Sequence, residues 1–419
     1  MATDARRAVA AALHGVFGKA RRVAEDWDRG LSPEDAGLAQ AMLGLALRRW
    51  GRLRAWATPR LKDPGRGLPL GTQISLGLGL AQLAWLGGVA AHAAVNEAVD
   101  LVVDRELGFP PHRGLVNALL RRAAEDRPGL RRELEDLPTS LDRSPFAERA
   151  LEAALGAGGA GTERLWSRLQ EPPRPAFRRV RGEVPPALEA DLDLEGCLRL
   201  RDGEAFPHDW LLRGEGLAQD RSSQALMQFS WDRSPGRILD ACAAPGGKAA
   251  ALAMRFPGSA VTAVEREAHR IRRLRENLGR WRLAVDIVHA DAVAWLREAR
   301  PGFDLILVDA PCSGSGTLAK HPELVWLGDR VELARLRNQQ RDLLEAALPC
   351  LAPGGLLVYA VCSWLGEEGA AHLPELLGRR PGLARVEAWP ARFMKDGLFR
   401  PDPLEWEGEG FQAFAVRGP

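Results

Sequence analysis

The sequence predicts two fold classes in one chain of 419 residues: an all-α domain first, then a doubly wound α/β domain. Three observations carry this reading. Apolar residues recur at helical spacing from Ala5 to about Arg127. From Arg237 onward, short apolar strands alternate with helical stretches, the pattern of a parallel sheet covered on both faces. Three of those strands run into loops of small residues or cysteines, at Pro245, Cys312 and Cys362. The chain is also too long for one ordinary core.

In the first domain, Ala8, Val9, Ala12, Leu13, Val16 and Phe17 share one helical face, and Leu38, Met42, Leu45 and Ala46 another. Ser32-Pro33-Glu34-Asp35 reads as a helix start, with a capping serine, a first-turn proline and acids near the positive end. Gly108-Phe109-Pro110-Pro111 breaks the pattern before Leu115, Val116, Leu119 and Leu120 resume it. Five to seven helices fit. Arginines cluster at Arg48, Arg49, Arg52 and Arg54 and at Arg121 and Arg122; a solvated helix face or an RNA-binding face both account for them.

From about Leu130 to Glu171 the chain reads as a connector: charged residues, the run Gly156-Ala-Gly-Gly-Ala-Gly161, then a helix at Glu163–Leu169. A small segment follows with Phe177-Arg-Arg-Val-Arg181 as a strand, and Arg221-Ser-Ser-Gln-Ala-Leu226 places a cap before a helix. The resulting division is 1–130, 131–213 and 214–419. In the last part strands are expected at Arg237–Ala241, Ala260–Glu265, Val285–His289, Asp304–Asp309 and Gly355–Cys362. Helices are expected near Lys248–Arg255, Glu267–Gly279, Val293–Glu298 and Leu333–Leu348.

The net charge of +2 neither demands nor excludes a nucleic-acid partner. The only lysines are Lys19, Lys62, Lys248, Lys320 and Lys395, so nearly all positive charge is arginine, the better bidentate phosphate binder. GC-rich coding explains the same bias. Five widely spaced cysteines with no Cys-x-x-Cys pair argue against a disulfide framework and a structural zinc site. Leu76–Val89 is too short to span a bilayer, and no signal-peptide core is evident. The expectation is a cytoplasmic monomer without metal or membrane.

In open α/β sheets ligands bind beyond the carboxyl ends of the strands. The loop Cys242-Ala243-Ala244-Pro245-Gly246-Gly247-Lys248 lets a cofactor approach the backbone and a helix N-terminus. Glu265 ends the next strand, where an acid takes ribose hydroxyls, and Asp291 follows the third, placed for an adenine amine. Small-residue loop, acid, acid is the order of S-adenosylmethionine enzymes; the loop lacks the Gly-x-Gly-x-x-Gly of NAD enzymes.

The cysteines say more. Carbon 5 of cytosine is a poor nucleophile, so methylating it requires a thiolate to add at carbon 6, an acid to meet the N3 and amino edge, and later loss of the carbon-5 proton. Cys362, Asp309 and Cys312 fall on loops that should be neighbours. Cys197 and Cys350 read as small buried hydrophobes, and Cys242 as loop packing.

Residues 211–419 resemble the RNA (cytosine-5) methyltransferases of the Nol/Nop/Sun superfamily. The resemblance rests on Asp240 to Lys248, Arg275-Glu-Asn-Leu278, His321-Pro-Glu-Leu-Val-Trp326, Gln340 with Leu343-Leu344, Pro353-Gly-Gly355, and Gln219-Asp220 with Ser223-Gln224. It implies a Rossmann-like class I methyltransferase domain that binds S-adenosylmethionine. It also implies Cys362 as nucleophile and Cys312 in product release. Ala91-His-Ala-Ala-Val-Asn-Glu-Ala-Val99 and Leu115-Val-Asn-Ala-Leu-Leu-Arg-Arg122 resemble the NusB-like RNA-binding domain fused to Fmu/Sun-type enzymes, which implies 16S ribosomal RNA as substrate, with one unpaired or flipped cytosine as target.

Four departures from that pattern stand out. Val361 replaces a threonine before the nucleophile, Gly369 an asparagine after Glu368, and Gln412 a phenylalanine after Gly410-Phe411. The segment Phe177–Leu212 is short, with Arg181 in place of an asparagine. Two rivals are weighed against the main reading. An RNA-binding assembly factor with an inactive domain would not keep both cysteines, and an exocyclic-amine enzyme would carry Asn-Pro-Pro-Tyr where this chain has Asp309-Ala-Pro-Cys312.

Overall fold

The computed structural model describes residues 2–24, 26–156, 161–298 and 302–419. It divides into two compact units: 1–148 with 320–331, and 149–319 with 332–419.

The first unit is helical: α1 (Asp4–Lys19), α2 (Pro33–Arg48), α3 (Trp50–Ala57), α4 (Leu70–Trp85), α5 (Ala91–Val103), α6 (Arg113–Glu125) and α7 (Arg127–Asp136). The apolar stretch in α4 is its centre. Residues from Gly71 to Ala84 are buried with hardly a break, so the helix is apolar all round because helices surround it. Ser32 caps α2 as expected, accepting from the Asp35 backbone N–H at 3.1 Å. Segment 320–331 packs with this unit: Trp326 donates its indole N–H to the Leu47 carbonyl at 2.8 Å and lies against Phe17.

Burial revises the reading of the first arginine cluster as a single solvated or RNA-facing surface. Arg48 and Arg52 are buried, and Arg52 pairs with Asp142 at 2.5 Å. Removing one partner of such a pair costs on the order of 3–5 kcal/mol, because the other charge is stranded. Arg49 lies over the Trp85 ring, whereas Arg54, Arg121 and Arg122 are exposed.

The stretch read as a connector is more ordered than its composition suggests. Leu130 and Leu134 of α7 are buried in the helical core, and α8 (Pro145–Leu155) and α9 (Thr162–Leu169) follow. Residues 157–160 of its glycine run lie outside the described residues.

The second unit opens with a four-stranded antiparallel sheet of β1 (Ala176–Arg179), β2 (Leu188–Ala190), β3 (Cys197–Leu200) and β4 (Gly216–Ala218) in the order β2-β3-β1-β4. Then come α10 (His208–Leu212) and α11 (Arg221–Leu226). Arg221–Leu226 is the α11 helix itself rather than its cap; the cap is Asp220, which accepts from the Ser222 N–H at 2.7 Å.

The large sheet has nine strands. Five are parallel: β5 (Arg237–Asp240), β6 (Ala260–Glu265), β7 (Asp286–His289), β8 (Phe303–Asp309) and β9 (Leu351–Val361). The strands β10 (Ala384–Val386), β11 (Met394–Lys395), β12 (Leu398–Phe399) and β13 (Gln412–Arg417) complete it, β13 running antiparallel to β9. Between the strands run α12 (Gly247–Arg255), α13 (Ala268–Trp281), α14 (Ala292–Glu298), α15 (Leu324–Leu327), α16 (Leu333–Ala347) and α17 (His372–Arg379).

Side chains alternate between two cores. Leu305, Leu307, Leu356 and Val358 enter one, and Ile306, Val308, Leu357 and Tyr359 the other, so both faces are covered and the strands read as unbroken apolar runs. The order β9-β8-β5-β6-β7 reverses between β5 and β8, a switch point at which ligands bind. Among the described residues no helix is long and apolar enough to cross a membrane.

Candidate active site

Strands β5, β8 and β9 are adjacent and parallel, so their carboxyl ends bring three loops together. Register fixes the spacing: Asp309 pairs with Ala360. Three residues beyond Asp309 and two beyond Ala360, the sulfurs of Cys312 and Cys362 lie 3.4 Å apart. Fifty residues of sequence separate them, and the strand pairing removes that distance.

A second pair stands beside them. Lys248 donates to Asp309 at 2.7 Å. Burial opposes the lysine's charge, but Asp309, then Cys362 and Asp240, more than offset it and hold its ammonium above the usual range. Asp240, at the end of β5, is fully buried; desolvation, reinforced by the Asp309 carboxylate, pushes its pKa up to about 7. The thiol of Cys312 is also pushed up, first by its hydrogen bond to Cys362 and then by burial. That direction favours the protonated form of Cys312, and either sulfur can be the donor across the 3.4 Å contact.

The small-residue loop lies one strand over. At Gly246, φ is +108° and a Cβ would fall 2.9 Å from a methyl of Leu274, so only glycine fits. Asn277 of α13 donates to the Pro245 carbonyl at 2.8 Å, and Arg270 to that of Ala244 at 2.7 Å. The family-like Arg275-Glu-Asn-Leu278 stretch thus holds this loop in place. Ala243 and Ala244 are buried, and Gly247 starts α12 with Lys248 behind it. Cys242 packs in the loop, its thiol pushed far up by burial and then by the nearby Asp240, in keeping with a packing role.

Beside the loop runs an open groove of about 1210 Å³, solvent at its mouth included, lined by Cys242, Glu265, Arg266, Arg270, Asp291 and Pro311 among others. Glu265 accepts the backbone N–H groups of Arg266 and Glu267 at 2.8 and 2.9 Å and pairs with Arg270 at 3.2 Å. Asp291 accepts from Ala294 N–H at 3.0 Å and faces Arg266 at 3.6 Å. Both carboxylates therefore open into one groove beside the loop. A glycine cradle, a groove and two acids along its wall suit an adenosine-bearing sulfonium cofactor.

Three departures in the sequence acquire a local explanation. Val361 is buried in the apolar core on its side of the sheet. Gly369 and Gln412 belong together: a Cβ at Gly369 would meet the Gln412 side chain at 2.7 Å. That glutamine donates to the carbonyls of Ser363 and Leu365, both at 3.0 Å, and accepts from Ala370 N–H. Losing a side chain at 369 makes room for an amide at 412 that ties down the turn after Cys362.

Comparison with known proteins follows the same division. A family model described as 16S rRNA methyltransferase RsmB/F matches residues 232–397, and a NusB family model matches residues 3–125. The ribosomal RNA small subunit methyltransferase B of Pseudomonas putida is 32% identical over 418 residues, covering 91% of this chain and 90% of that one. This chain belongs to that family. Methyl transfer to ribosomal RNA is what the family's name describes, and the helical unit is its NusB domain. Among solved structures, PH0851 superposes over 99% of both chains with a TM-score of 0.74 at 20% identity. A methyltransferase homologue from Pyrococcus horikoshii covers 66% of this chain and 100% of its own, with a TM-score of 0.53 at 22% identity. Both show the shared fold.

Sequence reasoning left one group at the site without a role. Glu368 is fully buried between the turns that follow the two cysteines. The available signal was the repeated dipeptide Cys312-Ser313 and Cys362-Ser363, two hydroxyls at matching positions with no obvious acceptor.

Proposed function

We propose that this chain methylates carbon 5 of one cytosine in 16S ribosomal RNA through a covalent bond between Cys362 and the base. The observation that carries the reading is the 3.4 Å approach of the Cys312 and Cys362 sulfurs beside the Lys248–Asp309 pair. An enzyme that methylates an exocyclic amine needs no thiol, and two are brought together here.

The sulfur of Cys362 donates an electron pair to carbon 6, and the ring's carbon 5–carbon 6 π pair shifts so that carbon 5 becomes nucleophilic. Asp309 meets the N3 and amino edge and relays to N3 a proton drawn from the Lys248 ammonium that donates to it at 2.7 Å. Lys248 at 2.7 Å offsets the carboxylate's charge, so an electron-rich base edge can approach it. S-adenosylmethionine, when bound, supplies the methyl group. Cys312 then passes its proton to the departing Cys362 sulfur and, as the thiolate so formed, takes the carbon-5 proton, while N3 returns its proton through Asp309 to Lys248; the carbon 5–carbon 6 double bond is restored and Cys312 ends as it began. A raised affinity for protons suits the acceptance of the carbon-5 proton.

In the same reading, the loop 242–248 faces the cofactor's methionine end, Glu265 takes the ribose hydroxyls, and Asp291 the adenine amine. The target cytosine is unpaired or flipped, since carbon 6 is unreachable inside a duplex. The division 1–130, 131–213 and 214–419 is proposed as a functional one, with Leu134 of α7 counted to the helical part and β4 (Gly216–Ala218) to the small sheet: the helical part and the small sheet hold RNA, and the last part carries the chemistry. Exposed arginines such as Arg54, Arg121, Arg122, Arg174 and Arg179 would contact phosphates, making RNA binding weaken steeply with salt.

The test is a map of 5-methylcytosine in 16S ribosomal RNA from cells with and without this chain, repeated with purified protein on unmodified RNA. Loss of one site in the cell and its restoration in vitro support the reading. Methylation at any atom other than carbon 5 contradicts it.

A further inference from the structure

We infer that Glu368 is the positioning residue that sets the two sulfurs against each other; the inference rests on the cysteine mechanism proposed above. Its carboxyl group accepts four hydrogen bonds, and three come from the serines that directly follow the two cysteines. One oxygen takes the Ser313 backbone N–H at 2.8 Å and the Gln340 amide at 3.3 Å. The other takes the Ser313 hydroxyl at 2.5 Å and the Ser363 hydroxyl at 2.6 Å.

Glu368 is 0% exposed, and a carboxyl group in such a place is costly unless every lone pair finds a donor. Strand pairing does not require it. The register of β8 and β9 is set by backbone bonds as far as Asp309 and Ala360, and Ala310 N–H still reaches the Ala360 carbonyl at 2.9 Å. Beyond that point the two segments are no longer a ladder, and the thiols sit on the part the ladder does not fix. Glu368 bridges that part. Gln340 braces it from α16 by also donating to the Pro311 carbonyl at 2.9 Å, the residue before Cys312. The Glu368 backbone is held in turn, its carbonyl accepting the Tyr359 hydroxyl at 2.6 Å.

With its carboxyl directed at the two serines, Glu368 hydrogen-bonds to neither sulfur and holds their places through those serines. Its removal should leave cofactor and RNA binding nearly intact and slow the covalent step, because sulfurs displaced by about 1 Å can cost on the order of 100-fold in rate. Glu368→Gln should recover part of the loss: its carbonyl oxygen can still accept from Ser313 N–H and Gln340, and the serine hydroxyls can reverse to face the amide.

The experiment compares wild type, Glu368→Ala and Glu368→Gln on 16S RNA. It measures kcat, KM for RNA, the dissociation constant for S-adenosylmethionine, and the rate of covalent adduct formation with RNA carrying 5-fluorocytidine, which blocks loss of the carbon-5 substituent. The expected result for Glu368→Ala is a fall of about 100-fold in kcat and in adduct rate, with both binding constants within about threefold, and an intermediate Glu368→Gln. A kcat within about threefold of wild type overturns the inference, as does a loss that appears equally in cofactor binding. Should Glu368→Ala fail to fold, Ser313→Ala combined with Ser363→Ala removes the two hydroxyl bonds to Glu368, leaving those from Ser313 N–H and Gln340, with little change in volume. A fall of about 10-fold in adduct rate is then expected, and no change overturns the inference. Absence of any adduct with wild type would overturn the cytosine mechanism itself, a different outcome from a normal wild type beside an unaffected Glu368→Ala.

Discussion

Three cysteines stand beyond the ends of parallel strands of one sheet, yet Cys242 and the Cys312–Cys362 pair inhabit different chemistry. Cys242, after β5, is held far toward its thiol by burial, with the buried carboxyl of Asp240 next to it. Cys362, after β9, has the Cys312 sulfur at 3.4 Å and lies close enough to Lys248 to interact with its ammonium. The residue type and the strand-end position are the same. What differs is what stands beside the sulfur: the carboxyl of Asp240 at Cys242, a second sulfur and the Lys248 ammonium at Cys362.

Substitutions break this comparison in order of size. Cys362→Ala should lower methyl transfer by about 10⁴-fold or more with cofactor binding unchanged, read as methyl incorporation from labelled S-adenosylmethionine. Cys312→Ala should allow addition and methylation but not release. RNA would accumulate on the protein, and multiple turnover would fall by about 100-fold or more on a denaturing gel assay. Lys248→Met strands Asp309 without its cation and should cost about 100-fold in kcat. At the small end, Cys242→Ala should change kcat by less than about threefold, since it removes one sulfur from a packed loop.

Stability offers an independent check on the quiet half of the comparison. Asp240 has its folded pKa raised from 3.8 to about 7. The stability linked to its neutral form is complete below its unfolded value and is lost as pH rises through about 7. The wild-type Tm should therefore fall relative to Asp240→Asn between about pH 4 and pH 7, and the two should run parallel below and above that window. His372 has the opposite sign: burial lowers its pKa to about 4, so its contribution is lost as pH falls from about 6.5 toward 4.

The site was legible wherever chemistry coincided with a strand end. Asp309, Cys312 and Cys362 announce themselves because an apolar run stops and a reactive residue follows. Alternation of strand and helix then places those ends side by side. Long-range polar pairing was not legible. Glu368 finds Ser313 across 55 residues, and Arg52 finds Asp142 across 90; nothing local distinguishes these charges from solvated ones. Composition also misled between Leu130 and Glu171, where charged residues on the outer helix face hid Leu130 and Leu134 on the inner one. The pairing of Gly369 with Gln412 is of the same kind: each looks like an isolated departure until the side chains meet.

The central claim is that Cys362, and not its neighbour, bonds to the base. It is tested most directly by incubating Cys312→Ala with 16S RNA and S-adenosylmethionine, digesting both polymers and locating the nucleotide by mass spectrometry. The account predicts a methylated cytidine on the peptide that contains Cys362. A nucleotide on Cys242, or no adduct at all with or without free methylated RNA, would contradict it.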